Sequence, residues 1–203
     1  EFTRNVEKLY GQFMIPYGKQ DISSKDIKAV IEVLKSDFIT QGPIIPSFEK
    51  ALASVVSAKF GVVVNSATSA LHLACLAVGL KKGDILWTSP ISFVASANCG
   101  LYCGANVEFV DIDKNTYNLC PGALKAKLEE AELKNKLPKI VIPVHFAGMP
   151  CNMKEIHALS KQYGFKIIED ASHAIGASIE GETIGSCKYS HITVFSFHPV
   201  KII

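Results

Sequence analysis

Lys201 lies in the run TVFSFHPVK, where Ile192, Thr193, Val194 and Phe195 have the β-branched and aromatic character of a short strand that Pro199 forbids to continue. A lysine at the broken end of a buried strand has its stem in apolar surroundings. Desolvation there disfavours an ammonium and frees an amine for Schiff-base chemistry; the same residue could also cap the strand and reach water. Four other stretches carry residues of chemical use. After Val62–Val64 comes Asn65-Ser66-Ala67-Thr68-Ser69, which leads straight into a helical pattern. Small residues there admit an anion close to the backbone, a helix N-terminus has free N–H donors, and Thr68 and Ser69 add hydroxyls. The stretch reads as a phosphate cradle or as a plain helix cap. Phe93, following ILWTS, could stack on a planar ring or belong to the core. His145, following KIVIPV, could bind substrate or satisfy a local carbonyl. Glu169 and Asp170 end KIIEDA, ahead of Ser172 and His173. A carboxylate at the end of a buried strand is costly unless paired, so Asp170 calls for a cationic partner such as a protonated ring nitrogen, while Glu169 reads as a turn acid facing solvent.

These residues act together only if the fold brings them to one edge. From about Ser23 the chain alternates helical and strand patterns. Ser23 or Ser24 caps a helix with Ile27, Val30, Ile31 and Leu34 on one face; Gly42 and Pro43 precede a second helix with Phe48, Leu52 and Val55. A strand over Val62–Val64 and a helix over NSATSALHLACLAVGL follow. Strands ILWTS, VEFVDI, KIVIPVHF and KIIEDA then alternate with helices FVASANCGLYCG, LKAKLEEAELK and MKEIHALSKQYG, and a hairpin around Gly181 leads to the last strand. Several strands are apolar throughout, as in a mostly parallel sheet flanked by helices on both faces. Ligands of such α/β sheets bind outside the carboxyl ends of the strands, where all five stretches fall.

Composition narrows the function. With 203 residues, 48% apolar and 20% charged, the chain is an ordinary globular one, and a net charge of +2 without a Lys/Arg cluster argues against nucleic acid. No apolar run reaches the roughly 18 residues of a membrane span. Six cysteines without a CxxC pair or zinc spacing imply no metal site and point to a reducing, cytoplasmic setting; Cys99 and Cys103, one helical turn apart, read as core filler. GxGxxG and GxxxxGK[ST] are absent, which removes the support for a dinucleotide fold or a P-loop.

An anion cradle, a flat aromatic, a carboxylate and a lysine at the strand ends of one sheet meet the needs of pyridoxal 5′-phosphate (PLP): phosphate held, ring stacked, ring nitrogen protonated, aldehyde tied to a lysine. The stretches NSATSALHLA, TSPISFVASAN, VHFAG, EDASHAIG and FSFHPVK, in this order, resemble the DegT/DnrJ/StrS-type sugar aminotransferases, from about Tyr17 to Lys201. That resemblance implies the PLP-dependent large domain of the aspartate aminotransferase fold (fold type I). It implies Lys201 as Schiff-base lysine and proton shuttle, Asp170 as partner of the ring nitrogen, Phe93 as the stacking ring and His173 near the ring hydroxyl. Ala67, Thr68 and Ser196 would contact the phosphate. The wording of TSPISFVASAN and FSFHPVK is most similar to the branch that makes UDP-4-amino-4,6-dideoxy-N-acetyl-β-L-altrosamine, a pseudaminic acid precursor. It implies L-glutamate as amino donor, a UDP-linked 4-keto-6-deoxy sugar as acceptor, and a homodimer for the full-length form. Rival readings are an aminotransferase acting on another nucleotide-linked keto sugar, a PLP-dependent sugar dehydratase, which would carry a histidine where Lys201 stands, and a non-catalytic α/β binding domain.

Family members are about twice as long. Residues 1–13 read as a non-native leader, on the Glu-Phe opening and Met14, and 14–203 as the N-terminal part of the large domain, with the C-terminal domain absent from this chain. The expectation is that the 203-residue chain alone binds PLP weakly and does not transaminate, that its final residues are mobile or displaced, and that much apolar surface is exposed or covered by another chain.

Overall fold

Six α-helices and seven short strands follow one another in the computed structural model, which describes residues 20–201. The leader reading for 1–13, and Ile202 and Ile203, lie outside the described residues. Helix α1 (Ser24–Leu34) starts at Ser23, whose side chain accepts from the Lys25 and Asp26 amides while Asp26 reaches back to the Ser23 amide. Helix α2 (Ile44–Val55) follows Pro43, and α3 (Ala67–Ala77) starts at Ser66. Strand β1 (Ile85–Thr88), α4 (Ala95–Tyr102), β2 (Asn106–Phe109), α5 (Pro121–Leu133) and β3 (Ile140–Ile142) come next. A 3₁₀ turn at Phe146–Gly148 leads to α6 (Met153–Tyr163), which Gly164 ends in the left-handed region at φ +80°. Strand β4 (Lys166–Asp170), the hairpin β5 (Ser178–Ile179) and β6 (Glu182–Thr183), and β7 (Ile192–Val194) complete the set.

The main sheet has the order β2-β1-β3-β4-β7, and every pairing in it is parallel. Side chains alternate between its faces. Leu86, Ile140, Ile142 and Ile168 pack with Leu71 and Cys75 of α3 and Cys99 of α4. Trp87, Val141 and Ile167 pack on the other face with Leu124 and Leu128 of α5 and Ile156 of α6. Each fully buried Leu or Ile contributes about 1.5–3 kcal/mol, and these two layers keep β4 buried to its last residue. The neighbouring Cys99 thiol and burial both push the Cys75 thiol up, so it stays protonated, as a core residue does.

One expected strand does not form. Val62–Val64 is not a strand: Val62 is 80% exposed, and the Val63 amide donates to Glu49 Oε1 at 2.8 Å rather than to a ladder. The apolar residues are present, but among the described residues no strand pairs with them. Helix α1 has the expected amphipathic pattern, yet none of its residues is buried, and Ile27, Val30, Ile31 and Leu34 all face out. With Ile44, Ile45, Val55 and Phe60 they form much of the exposed apolar surface.

Candidate cofactor site

Strand alternation decides what each residue at the end of β4 can do. Asp170 follows Ile168 in phase and emerges on the α3/α4 face, only 4% exposed. Its backbone is held on both sides: the His145 amide donates to the Asp170 carbonyl (3.0 Å), and the Ala171 amide to Val194 (2.8 Å). Oδ1 of its carboxylate accepts from the Ser172 hydroxyl (2.6 Å) and amide (3.2 Å), and Oδ2 from the Ser96 hydroxyl (2.6 Å). All of these donors are neutral. Among the described residues no cation forms an ion pair with it. A buried carboxylate without a counter-charge is a site for a cationic group.

His173 lies within range of the Asp170 charge. Lys201 Nζ is 3.0 Å from His173 Nε2. An ammonium only donates, so His173 accepts through a neutral ring. Burial first, then the charge of Lys201, hold the His173 imidazole below its usual value, against an opposing pull from Asp170. The Lys201 amide also donates to the His198 carbonyl (2.8 Å), so the lysine makes two hydrogen bonds. Gly148 makes this arrangement possible: its φ is +86°, and a Cβ there would lie 2.9 Å from the His173 carbonyl oxygen.

Phe93 is 69% exposed in the turn between β1 and α4, which excludes the core reading. At the start of α3 the Ser69 amide is spent on the Ser66 hydroxyl (3.1 Å), whereas the Ala67 and Thr68 amides have no hydrogen-bond partner among the described residues. Ser196 is buried just past β7 and accepts weakly from the His198 amide (3.4 Å). Helix α3 packs on β4, β7 and α4, and so shares a face of the sheet with Asp170. No hydrogen bond among the described residues joins Ala67, Thr68, Phe93 or Ser196 to Asp170, His173 or Lys201.

Glu169 corrects its reading as a solvent-facing turn acid. It follows Ile167 in phase and is 4% exposed on the α5/α6 face, where Oε2 meets His145 Nε2 at 2.8 Å and Oε1 accepts from the Thr193 hydroxyl at 3.0 Å. The Cys151 amide donates to His145 Nδ1 (3.0 Å), so the ring proton sits on Nε2 and goes to Glu169. That decides between the two readings of His145: it is spent on structure. Burial pushes the Glu169 carboxyl up, but the hydrogen bonds from His145, Ser190 and Thr193 outweigh it and hold the group below its usual value. Ser96 is a further site residue, marked in the sequence only by a hydroxyl near the start of a helix that also carries Asn98.

The unpaired carboxylate of Asp170, the two free amides of α3, the open ring of Phe93 and the Lys201 amine fit pyridoxal phosphate in charge and in donor type. Among the described residues no His/Cys/Asp/Glu group could hold a metal ion, and no helix is long and apolar enough to cross a membrane. The profile of the DegT/DnrJ/EryC1/StrS aminotransferase family matches residues 20–203. The chain belongs to that family. Among DegT/DnrJ/EryC1/StrS relatives, a UDP-4-amino-4,6-dideoxy-N-acetyl-β-L-altrosamine transaminase of Campylobacter jejuni is 43% identical over 191 residues, 94% of this chain and 49% of the relative. The solved structure of Helicobacter pylori PseC, an aminotransferase involved in the biosynthesis of pseudoaminic acid, matches with TM-score 0.82 and 33% identity over 93% of this chain and 49% of its own. The PLP-form of the putative sugar aminotransferase Spr1654 from Streptococcus pneumoniae matches with TM-score 0.81 and 26% identity, over 93% of this chain and 50% of its own. The expected aminotransferase fold is therefore present, and the chain spans about half the length of the relatives it matches.

Proposed function

We propose that this chain carries the cofactor site of a PLP-dependent nucleotide-sugar aminotransferase, which moves an amino group from L-glutamate to the 4-keto carbon of a UDP-linked 6-deoxy sugar. The observation that carries the reading is the buried Asp170 carboxylate, held only by neutral donors, with the Lys201 amine on the nearby His173. The finer choice of sugar is supported by the printed activity of the Campylobacter jejuni relative. A homodimer and a cytoplasmic location belong to the same proposal; six free cysteines support the latter.

Pyridoxal phosphate, when bound, supplies an electron sink that stabilises negative charge at the substrate carbon. The chain supplies the rest. Asp170 Oδ2 would accept from the ring nitrogen and hold that proton in place. Lys201 Nζ would hold the aldehyde and, as a free amine, would move the proton at the reacting carbon. Neutral His173 Nε2 accepts from Lys201 Nζ and orients it while it is free. The Ala67 and Thr68 amides, with Ser196, would hold the phosphate at the N-terminus of α3. Phe93 would stack on the ring.

Borohydride reduction after incubation with PLP, followed by peptide mapping, tests this. The expected result in the complete gene product is a phosphopyridoxyl mass on the peptide containing Lys201, lost in Lys201→Ala. A label spread over surface lysines, or none, refutes the reading.

A further inference from the structure

The proposed role of Asp170 requires one free acceptor position aimed at the cofactor, and the hydroxyls around it show how that position is set. An ionised carboxylate has about four acceptor positions, two on each oxygen. On Oδ1 both are taken, by the amide and the hydroxyl of Ser172. On Oδ2 one is taken, by Ser96 Oγ at 2.6 Å. Ser96 has a single hydroxyl proton, and an ionised carboxylate cannot return one, so that proton is committed to Asp170. In the 2.7 Å contact between the Ser92 and Ser96 hydroxyls, Ser92 must then donate and Ser96 accept. The alternative acceptor for Ser92, the Phe93 carbonyl, is farther away at 3.2 Å. The chain of donors runs Ser92 to Ser96 to Asp170.

We propose that Ser96, oriented by Ser92, is a positioning residue that fixes the Asp170 carboxylate so that the remaining position on Oδ2 meets the ring nitrogen. This rests on the cofactor reading of Asp170. Ser96 is fully buried, its amide donates to the Phe93 carbonyl (3.2 Å), and the Cys99 thiol donates to the Ser96 carbonyl (3.3 Å). The segment that carries Phe93 is therefore bonded to the residue that grips the carboxylate. A bond that crosses from α4 to β4 ties the group that would stack on the ring to the group that would pair with its nitrogen. Neither serine needs to touch the substrate for this.

The test uses the complete gene product loaded with PLP carrying ¹⁵N in the ring, and reads the ring-nitrogen resonance and the PLP dissociation constant beside the thermal melt. In Ser96→Ala the resonance moves toward that of an unprotonated pyridine, and PLP binds roughly tenfold to a hundredfold more weakly, the loss expected when a buried charged acceptor loses a donor. Ser96→Thr restores both. Ser92→Ala moves both in the same direction by less, and it carries the test by itself where Ser96→Ala does not fold. Asp170→Asn is the benchmark. If it moves the resonance while Ser96→Ala and Ser92→Ala leave it at the native position, the inference on Ser96 is overturned and the cofactor reading stands. If Asp170→Asn leaves the resonance unmoved, the cofactor reading itself is overturned.

Discussion

Asp170, His173 and Lys201 form a small electrostatic circuit, and its behaviour with pH follows from who accepts from whom. His173 is held down by burial and by the Lys201 charge, so its protonated form is disfavoured in the folded chain. It should titrate below the free-imidazole value of about 6.5 in an NMR pH titration, and Lys201→Ala should raise it by removing one of the two causes. An unchanged midpoint in that variant would place the lysine elsewhere. A histidine with a lowered folded pKa adds stability that is complete above its unfolded value, and that contribution shrinks as pH falls from there toward the folded one. The contact between His173 and Lys201 should therefore weaken on acidification below about 6.5. Asp170→Asn should slow glutamate-dependent amination of the keto sugar by several orders of magnitude, because a ring nitrogen without a carboxylate partner loses its proton and its pull on electrons. Near-normal turnover would remove Asp170 from the role.

At the scale of elements, β4 is the axis of the site, because adjacent residues at its end serve opposite faces. Asp170 faces the candidate cofactor site, while Glu169 clamps β4 to β7 through Thr193 and to the loop after β3 through His145. His145→Ala leaves a buried carboxylate without its main partner and should cost about 3–5 kcal/mol in urea unfolding. A cost under 1 kcal/mol would mean that the pair is solvated. Since the Glu169 carboxyl is held below its usual value, its contribution is complete above the unfolded value of about 4.3 and is lost as pH falls through the lower folded one. Glu169→Gln should flatten that acid limb. The 3₁₀ turn before α6 is the second support. Gly148→Ala must place a side chain at φ +86° and against the His173 carbonyl. It should cost about 1–2 kcal/mol for the backbone alone and move the His173 resonances. Unchanged stability and unchanged His173 resonances would show that this turn does not support the site.

For the whole molecule, the distribution of apolar surface is uneven. The sheet core between α3/α4 and α5/α6 is closed, whereas α1, α2 and the segment around Phe60 and Val62 present large side chains to solvent. Exposure on this scale is unfavourable in an isolated chain. The 203-residue chain should bind an apolar fluorescent dye and sediment as larger species as its concentration rises. Ile31→Lys combined with Leu34→Lys should reduce both effects without loss of sheet signal in circular dichroism. A dye-silent monomer at high concentration would contradict this.

The helix and strand periods from Ser24 onward, and the residues at strand ends, are local properties, and the sequence alone sufficed for them. Apolar spacing follows the repeat of the element, and Pro, Gly and Ser mark the ends. That is why the parallel sheet, Asp170 at the end of β4 and the five resembling stretches could be read directly. What stayed hidden depends on partners far along the chain. Among the described residues, Val62–Val64 has strand composition but no strand paired with it, and α1 has an amphipathic face but no buried residue. Which of two adjacent carboxylates faces the site was settled by the phase of β4 relative to the layers on either side. His145 became structural only through Cys151 and Glu169. Ser96 reaches Asp170 across 74 residues of sequence, through a hydrogen bond that only the seating of α4 on that face of the sheet creates.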